Sequence, residues 1–98
     1  MKIAKEWSGD ALKIALEGRL DTTTAPELEK ELKGSLDGAN NLTLDFGKLD
    51  YISSAGLRVL LSAHKTMSKK GGMKVTNVNE IVREVFDVTG FSDILTIE

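Results

Sequence analysis

Hydrophobic and polar positions along the chain follow two rhythms, one of period two and one of three to four, and their order predicts the fold. Lys2 to Trp7 opens with strand character, followed by the turn pair Gly9-Asp10 and then Ala11 to Leu16. There Leu12, Ile14 and Leu16 alternate with Lys13 and Ala15, as a strand with one buried face requires. The short Ser8-Gly9-Asp10 link predicts a hairpin. After Gly18 the pattern breaks, at Arg19-Leu20-Asp21-Thr22-Thr23. Thr24-Ala25-Pro26-Glu27 reads as a capping box that opens a helix, with Thr24 accepting from the N3 amide and Glu27 reaching back. Leu28, Leu32 and Leu36 form its apolar stripe, Gly34 weakens it, and Asp37-Gly38-Ala39-Asn40 ends it.

Leu42, Leu44 and Phe46 alternate again and predict a third strand. A second helix is predicted from Ser54 to Lys70, with Leu57, Leu60, Leu61, His64 and Met67 on one face and Gly71-Gly72 as its stop. Lys65, Lys69 and Lys70 suit the negative end of its dipole. Met73 to Val78 is a fourth strand. Asn79 can cap a third helix bearing Ile81, Val82, Val85 and Phe86 and ending at Gly90. Phe91-Ser92-Asp93 leads to a last strand, Ile94 to Ile97. The order β-β-α-β-α-β-α-β predicts an α/β fold: a mixed sheet with parallel crossovers and helices on at least one face, in one domain over residues 1–98.

Composition narrows the function more than the fold. Thirteen basic and fifteen acidic residues leave a net charge of −2, so nothing draws the chain to nucleic acid. Cysteine is absent and there is a single histidine, which removes disulfides, thiolate chemistry and multi-histidine metal sites. The longest apolar runs are three residues, such as Val59-Leu60-Leu61, against the roughly 20 that a spanning helix needs. The first residues, Met1-Lys2-Ile3-Ala4-Lys5-Glu6, lack the apolar core of a signal peptide. A cytoplasmic domain without membrane insertion, metal or cofactor is expected.

One stretch is not explained by core and surface alone: Leu49-Asp50-Tyr51-Ile52-Ser53-Ser54-Ala55-Gly56-Leu57-Arg58. A strand ends, two serines follow, and a small-residue pair opens an amphipathic helix. Free amides and the positive dipole end make a helix N-terminus a seat for an anion. A serine hydroxyl there is either a cap or an acceptor for phosphate. Gly56 costs up to about 1 kcal/mol in a helix. A site that needed only a cap had no reason to accept it. Gly56 and Ala55 would let another backbone or a partner come close to the serines.

Ile52-Ser53-Ser54-Ala55-Gly56-Leu57, following Leu42-Thr43-Leu44-Asp45-Phe46, resembles the signature of the STAS domain family, which includes bacterial anti-sigma-factor antagonists. Gly18-Arg19-Leu20-Asp21 and Val85-Phe86-Asp87-Val88-Thr89-Gly90-Phe91 resemble two further motifs of that family, in its order. The resemblance spans nearly the whole chain and implies a free-standing antagonist. It implies a phosphoacceptor at Ser54, with Ser53 as rival because it stands where the family's pattern carries an aspartate. Losing that carboxylate removes a negative charge beside the acceptor. The resemblance further implies a partner surface of Asp21, Thr22, Ser53, Ser54, Ala55, Gly56 and Arg58. Its partner would be an anti-sigma factor and serine kinase of the histidine-kinase-like ATPase type, released by phosphorylation, with a serine phosphatase to reset the switch.

Two other classes stand beside this one. In a constitutive adaptor or subunit of a signalling or transport assembly, the same fold would bind without phosphorylation. A small hydrolase would use Ser54, but Ile52 stands where a Gly-x-Ser-x-Gly elbow has its first glycine. The one histidine, His64, falls ten residues along the same helix, about 15 Å at ~1.5 Å per residue. No catalytic residue is therefore assigned, and His64 reads as a buried or half-buried structural side chain. Trp7 reads as core, and Tyr51 as a candidate partner anchor.

Overall fold

Two strands run well past the points where their alternation stops, and their overrun positions the site. The computed structural model describes residues Met1–Glu98. Its elements are β1 (Lys2–Ser8), β2 (Ala11–Leu20), α1 (Ala25–Ser35), β3 (Asn41–Ile52), α2 (Ser54–Met67), β4 (Met73–Thr76), α3 (Glu80–Thr89) and β5 (Thr96–Ile97), with single 3-10 turns at Leu36–Gly38 and Phe91–Asp93. One sheet contains the strands in the order β1-β2-β3-β4-β5. β1 pairs antiparallel with β2, as the hairpin predicted, and every other pair is parallel.

β2 continues through Gly18 and Arg19 to Leu20, beyond the expected break, and β3 continues to Ile52. β3 does so with two irregularities. Ala15 pairs with Asp45 but Glu17 with Lys48, and Gly18 pairs with Leu49 but Arg19 with Tyr51. Each step adds a residue to β3, which bends and twists a strand locally and scrambles its period-two signal. Beyond both bulges Leu20 again sits opposite Ile52, both fully buried.

The buried side chains of β2, β3 and β4 (Leu12, Ile14, Leu16, Leu42, Leu44, Phe46, Met73 and Val75) share one sheet face with Leu28 and Leu32 of α1, Leu60 and Met67 of α2, and Val82 and Phe86 of α3. The opposite face carries Lys13, Glu17 and Lys74 and lies open. Asn79 caps α3 as expected, accepting the Val82 amide at 2.8 Å, while its own amide donates to the Leu49 carbonyl at 2.7 Å. α3 ends at Gly90, whose φ of +82° is the left-handed conformation that glycine adopts without strain.

Several expectations are corrected. Thr24 makes no side-chain cap bond. Its hydroxyl donates to the Arg19 carbonyl at 2.8 Å, and Asp21 Oδ1 accepts the Thr23 and Thr24 amides instead, at 3.0 and 3.2 Å. The Glu27 amide, which the expected cap would have engaged, donates to the Thr24 backbone carbonyl at 3.0 Å, and Asp21 takes the Thr24 amide that Glu27 was expected to reach. α2 stops at Met67, because the Gly72 amide folds back onto the Met67 carbonyl. Lys70 leaves its own helix and donates to the carbonyls of Leu36, Asp37 and Ala39 beyond α1. β4 ends at Thr76, since Asn77 adopts a φ of +58°. The last strand shrinks to Thr96–Ile97, after the 3-10 turn. Ile81 points outward, 60% exposed, as one face of α3 suffices to pack Val82 and Phe86. Trp7 is 45% exposed on the edge strand, alongside Gly38, and is not a core residue.

Candidate functional site

β2 and β3 end together, and their ends set the start of α2. The Ser53 amide donates to the Leu20 carbonyl at 2.9 Å, which fixes the cap residue of α2 against the last residue of β2. Ser53 is extended at the cap, and its carbonyl accepts the first helical bond, from the Leu57 amide at 3.0 Å. The amides of Ser54, Ala55 and Gly56 therefore precede the helical ladder. No acidic residue occupies this first turn. The positive dipole end and the free donors meet there, and the helix's own first turn supplies no carboxylate to occupy them.

The two serines differ in access. Ser54 is exposed, whereas Ser53 Oγ is buried without a hydrogen-bond partner. Neither side chain caps the helix, since no side-chain cap bond is made at α2.

Gly56 is explained by packing and not by a partner's approach. It is buried, and a Cβ there would lie 2.7 Å from Leu20 Cγ and 2.9 Å from Ile52 Cγ1. The close neighbours are the chain's own core side chains, so Gly56 lets α2 settle onto the ends of β2 and β3. Ala55 is half-buried against the same core. Of the expected surface residues, Ser54, Thr22 and Arg58 are exposed, with Arg58 one turn beyond Ser54, while Ser53 and Ala55 are half-buried and Gly56 is covered.

Asp21 and Thr22 follow Leu20 directly, so the same Leu20–Ser53 bond brings their loop to the start of α2. Asp21 organises that loop. Its Oδ1 also accepts the Thr23 hydroxyl at 2.7 Å, and its amide donates to Thr24 Oγ1 at 2.8 Å. The Thr23 hydroxyl, then the amides of Thr23 and Thr24, hold its carboxyl below its ordinary pKa. A neighbour that residue spacing alone does not reveal is Arg19, whose guanidinium lies 4.6 Å over the Tyr51 ring with Nε 3.7 Å from Asp21 Oδ2. Only the bulged register, which sets Arg19 opposite Tyr51, brings these residues together. Tyr51 is thus engaged on its ring face within the chain. His64 lies on α2, half-buried, with Nδ1 buried and unpaired.

The family model of the STAS domain matches residues 2–98. This chain belongs to the STAS domain family. Among curated STAS relatives, BtrV of Bordetella bronchiseptica, named for an anti-sigma factor antagonist, is 37% identical over 99 residues, spanning 99% of this chain and 85% of that protein. The anti-sigma-B factor antagonist of Bacillus subtilis is 30% identical over 87 residues, covering 88% of this chain and 80% of its own. Among solved structures, the anti-sigma factor antagonist SpoIIAA shares the fold in its unphosphorylated form (TM-score 0.85, 18% identity, 99% of this chain and 88% of that one) and in its phosphorylated form (TM-score 0.77, 17% identity, 99% and 91%). In this STAS domain, Gly18-Arg19-Leu20-Asp21 ends β2 and starts the Asp21 loop. Val85-Phe86-Asp87-Val88-Thr89-Gly90-Phe91 closes α3 and opens the following turn.

No helix is long and apolar enough to cross a membrane.

Proposed function

We propose that this STAS domain is an anti-sigma-factor antagonist that binds its anti-sigma factor through the surface around the start of α2 and lets it go when Ser54 is phosphorylated. The observation that carries this reading is the contrast between two neighbouring hydroxyls. Ser54 Oγ stands in the open at the first residue of α2, whereas Ser53 Oγ is buried. A kinase can reach the first without opening the helix start and cannot reach the second. The named antagonists among the relatives support the function, and the two forms of SpoIIAA support a phosphate-dependent switch.

The physics needs no refolding. Phosphate adds about −1.5 to −2 charges at neutral pH. The amides of Ser54, Ala55 and Gly56 and the helix dipole tolerate that charge within the domain. A partner surface shaped for a neutral hydroxyl must instead leave it unpaired or face it with like charge, at a cost of several kcal/mol. About 2.7 kcal/mol already weakens affinity a hundredfold. Asp21, through its loop, and Arg58 flank the hydroxyl and complete the partner surface.

The partner in this reading is a serine kinase and anti-sigma factor of the histidine-kinase-like ATPase type, a serine phosphatase resets Ser54, and the exchange takes place in the cytoplasm. The domain is its kinase's substrate and performs no chemistry itself. His64, ten residues along α2 from Ser54, is about 15 Å from it.

The test is mass spectrometry of the chain isolated from growing host cells. Trypsin cleavage after Lys48 and Arg58 releases Leu49 to Arg58, which contains both serines. Fragment ions should locate phosphate on Ser54 in a fraction of the molecules. Phosphate on Ser53, or on neither, contradicts the assignment.

A further inference from the structure

β1 is the longer of the two edge strands. Its seven residues, Lys2–Ser8, pair with β2 on one side only, whereas β5 at the other edge has two residues. An edge strand presents a row of unpaired N–H and C=O groups, and proteins blunt such rows with charged side chains, bulges, proline or very short strands. β1 has neither bulge nor proline, and its register with β2 is unbroken from Lys2 opposite Glu17 to Ser8 opposite Ala11. Its only guard is its charges, Lys2, Lys5 and Glu6, which admit a partner that matches them. We propose that a second copy of this chain pairs antiparallel with β1 about a twofold axis at Ala4, joining two five-stranded sheets into one of ten strands.

The register follows from charge. With Ala4 on the axis, Lys2 lies opposite the partner's Glu6, and Glu6 opposite the partner's Lys2. Within the chain Lys2 already faces Glu17, and Glu6 faces Lys13, on the open side of the sheet. The dimer therefore extends a row of alternating sign across four strands: Glu17, Lys2, the partner's Glu6, the partner's Lys13. The twofold repeats it. Lys2 and Glu6 are both exposed, and neither forms an ion pair within the chain. Opposite charges in directly facing positions stabilise a strand pair, and like charges destabilise it. Between the two charged rows Ala15 faces Ala4, so four alanines cross the axis in line and let the strands approach without obstruction.

Other registers are worse. Moving the axis to Lys5 sets that lysine against its own equivalent. Moving it to Ile3 leaves Lys2 opposite alanine and shortens the overlap. A one-residue slip opposes side chains of different sheet faces, which the pleat forbids.

The helix-side face fits the same register. Ile3, half-buried, lies along the stem of the partner's Lys5, whose ammonium is held at its own helix by Glu31 and Ser35, at 2.9 and 3.3 Å. Trp7, 45% exposed, meets the partner's Met1. This gives the exposed indole an apolar neighbour that the monomer does not. A seven-residue edge is smaller than a standard interface of roughly 1,200–2,000 Å², so the association is concentration-dependent and not obligate. β2 separates β1 from β3, and the start of α2 stays free in the pair.

Sedimentation equilibrium of the full chain over a concentration series tests this, with emission of Trp7, the only tryptophan, as a local probe. The weight-average mass should rise toward twice the monomer's, with a blue shift of the indole emission in step. Lys2→Glu and Glu6→Lys, each at an exposed position, should raise the dissociation constant at least tenfold. An equimolar mixture of these two variants should recover dimer, because every pair that faces across the twofold axis is again opposite in sign, and so should the double variant. A wild-type chain that stays monomeric overturns the proposal. So does a dimer indifferent to both single changes, or a mixture that fails to recover.

Discussion

Gly56 on α2 and Leu20 at the end of β2 lie so close that a methyl group on Gly56 would come within 2.7 Å of Leu20 Cγ. That contact, with Ile52 on the other side, presses the first turn of α2 onto the paired ends of β2 and β3 and so sets where the Ser54 hydroxyl stands. Gly56→Ala pits two effects against each other. Alanine gains up to about 1 kcal/mol of helix propensity, while overpacking a tight core costs about 1–3 kcal/mol. Overpacking should win, because the neighbours are branched core side chains with no room to retreat. Urea denaturation should show a net loss of about 1–2 kcal/mol. In a Leu20→Ala background, which lacks the Cγ that clashes, Gly56→Ala should cost less than it does in the wild type.

The two serines and Asn79 make a contrasting set. Ser54→Ala removes an exposed hydroxyl without a cap bond and should change stability by less than about 0.5 kcal/mol. Ser53→Ala removes a buried hydroxyl with no partner, so it should be neutral or slightly stabilising. Asn79→Ala loses the α3 cap and strands the Leu49 carbonyl, and should cost about 1–2 kcal/mol. Thermal or urea unfolding of the three variants checks the order. A cap-sized loss at Ser53 would contradict this geometry.

Acid should act through two carboxylates. Thr23 and Thr24 hold Asp21 below its ordinary pKa of 3.8; Asn77, then the Gly47 amide, and more weakly Lys13 and Lys48 do the same for Asp45. The unfolded chain therefore takes up these protons at higher pH than the folded one. The stabilisation is fully present above the ordinary carboxylate range and is lost as pH falls through 3.8 toward the depressed folded values. Asp45→Asn and Asp21→Asn should each lower stability at neutral pH and flatten its fall in acid. Unfolding curves collected from neutral to acid pH measure both effects.

Lys70 ties the end of α1 to the turn after α2 by donating to three carbonyls. Charge-assisted bonds of this kind contribute about 1.5–3 kcal/mol when buried, and these are partly exposed. Lys70→Met, which keeps the stem, should cost about 1 kcal/mol and speed amide exchange at Ala39, whose N–H bonds the Leu36 carbonyl.

How much of this was legible in the sequence differs from element to element. The hairpin, the Leu28-Leu32-Leu36 stripe and the Asn79 and Gly90 boundaries of α3 could be read, because each rests on a local rhythm or a single dihedral. The extent of β3 could not. Gly47, Lys48 and Asp50 interrupt its alternation, and the bulges that absorb them exist only in pairing with β2. Thr24 misled because its hydroxyl donates to the Arg19 carbonyl, its backbone carbonyl takes the Glu27 amide, and Asp21, three residues earlier, takes the amide that Glu27 was expected to reach. At the site, the serines and small residues stood out in the sequence. Which hydroxyl is exposed, and that Gly56 faces Leu20, depend on how α2 lands on the sheet.

The central claim is that charge at position 54 controls partner binding. Wild type, Ser54→Ala and Ser54→Glu, each used to capture proteins from host lysate for identification by mass spectrometry, test it most directly. The account predicts that the first two retain an anti-sigma factor of the kinase type and that Ser54→Glu loses it, with affinity down about a hundredfold when remeasured with purified partner. A partner held equally by all three would contradict it and make this STAS domain a constitutive binding module.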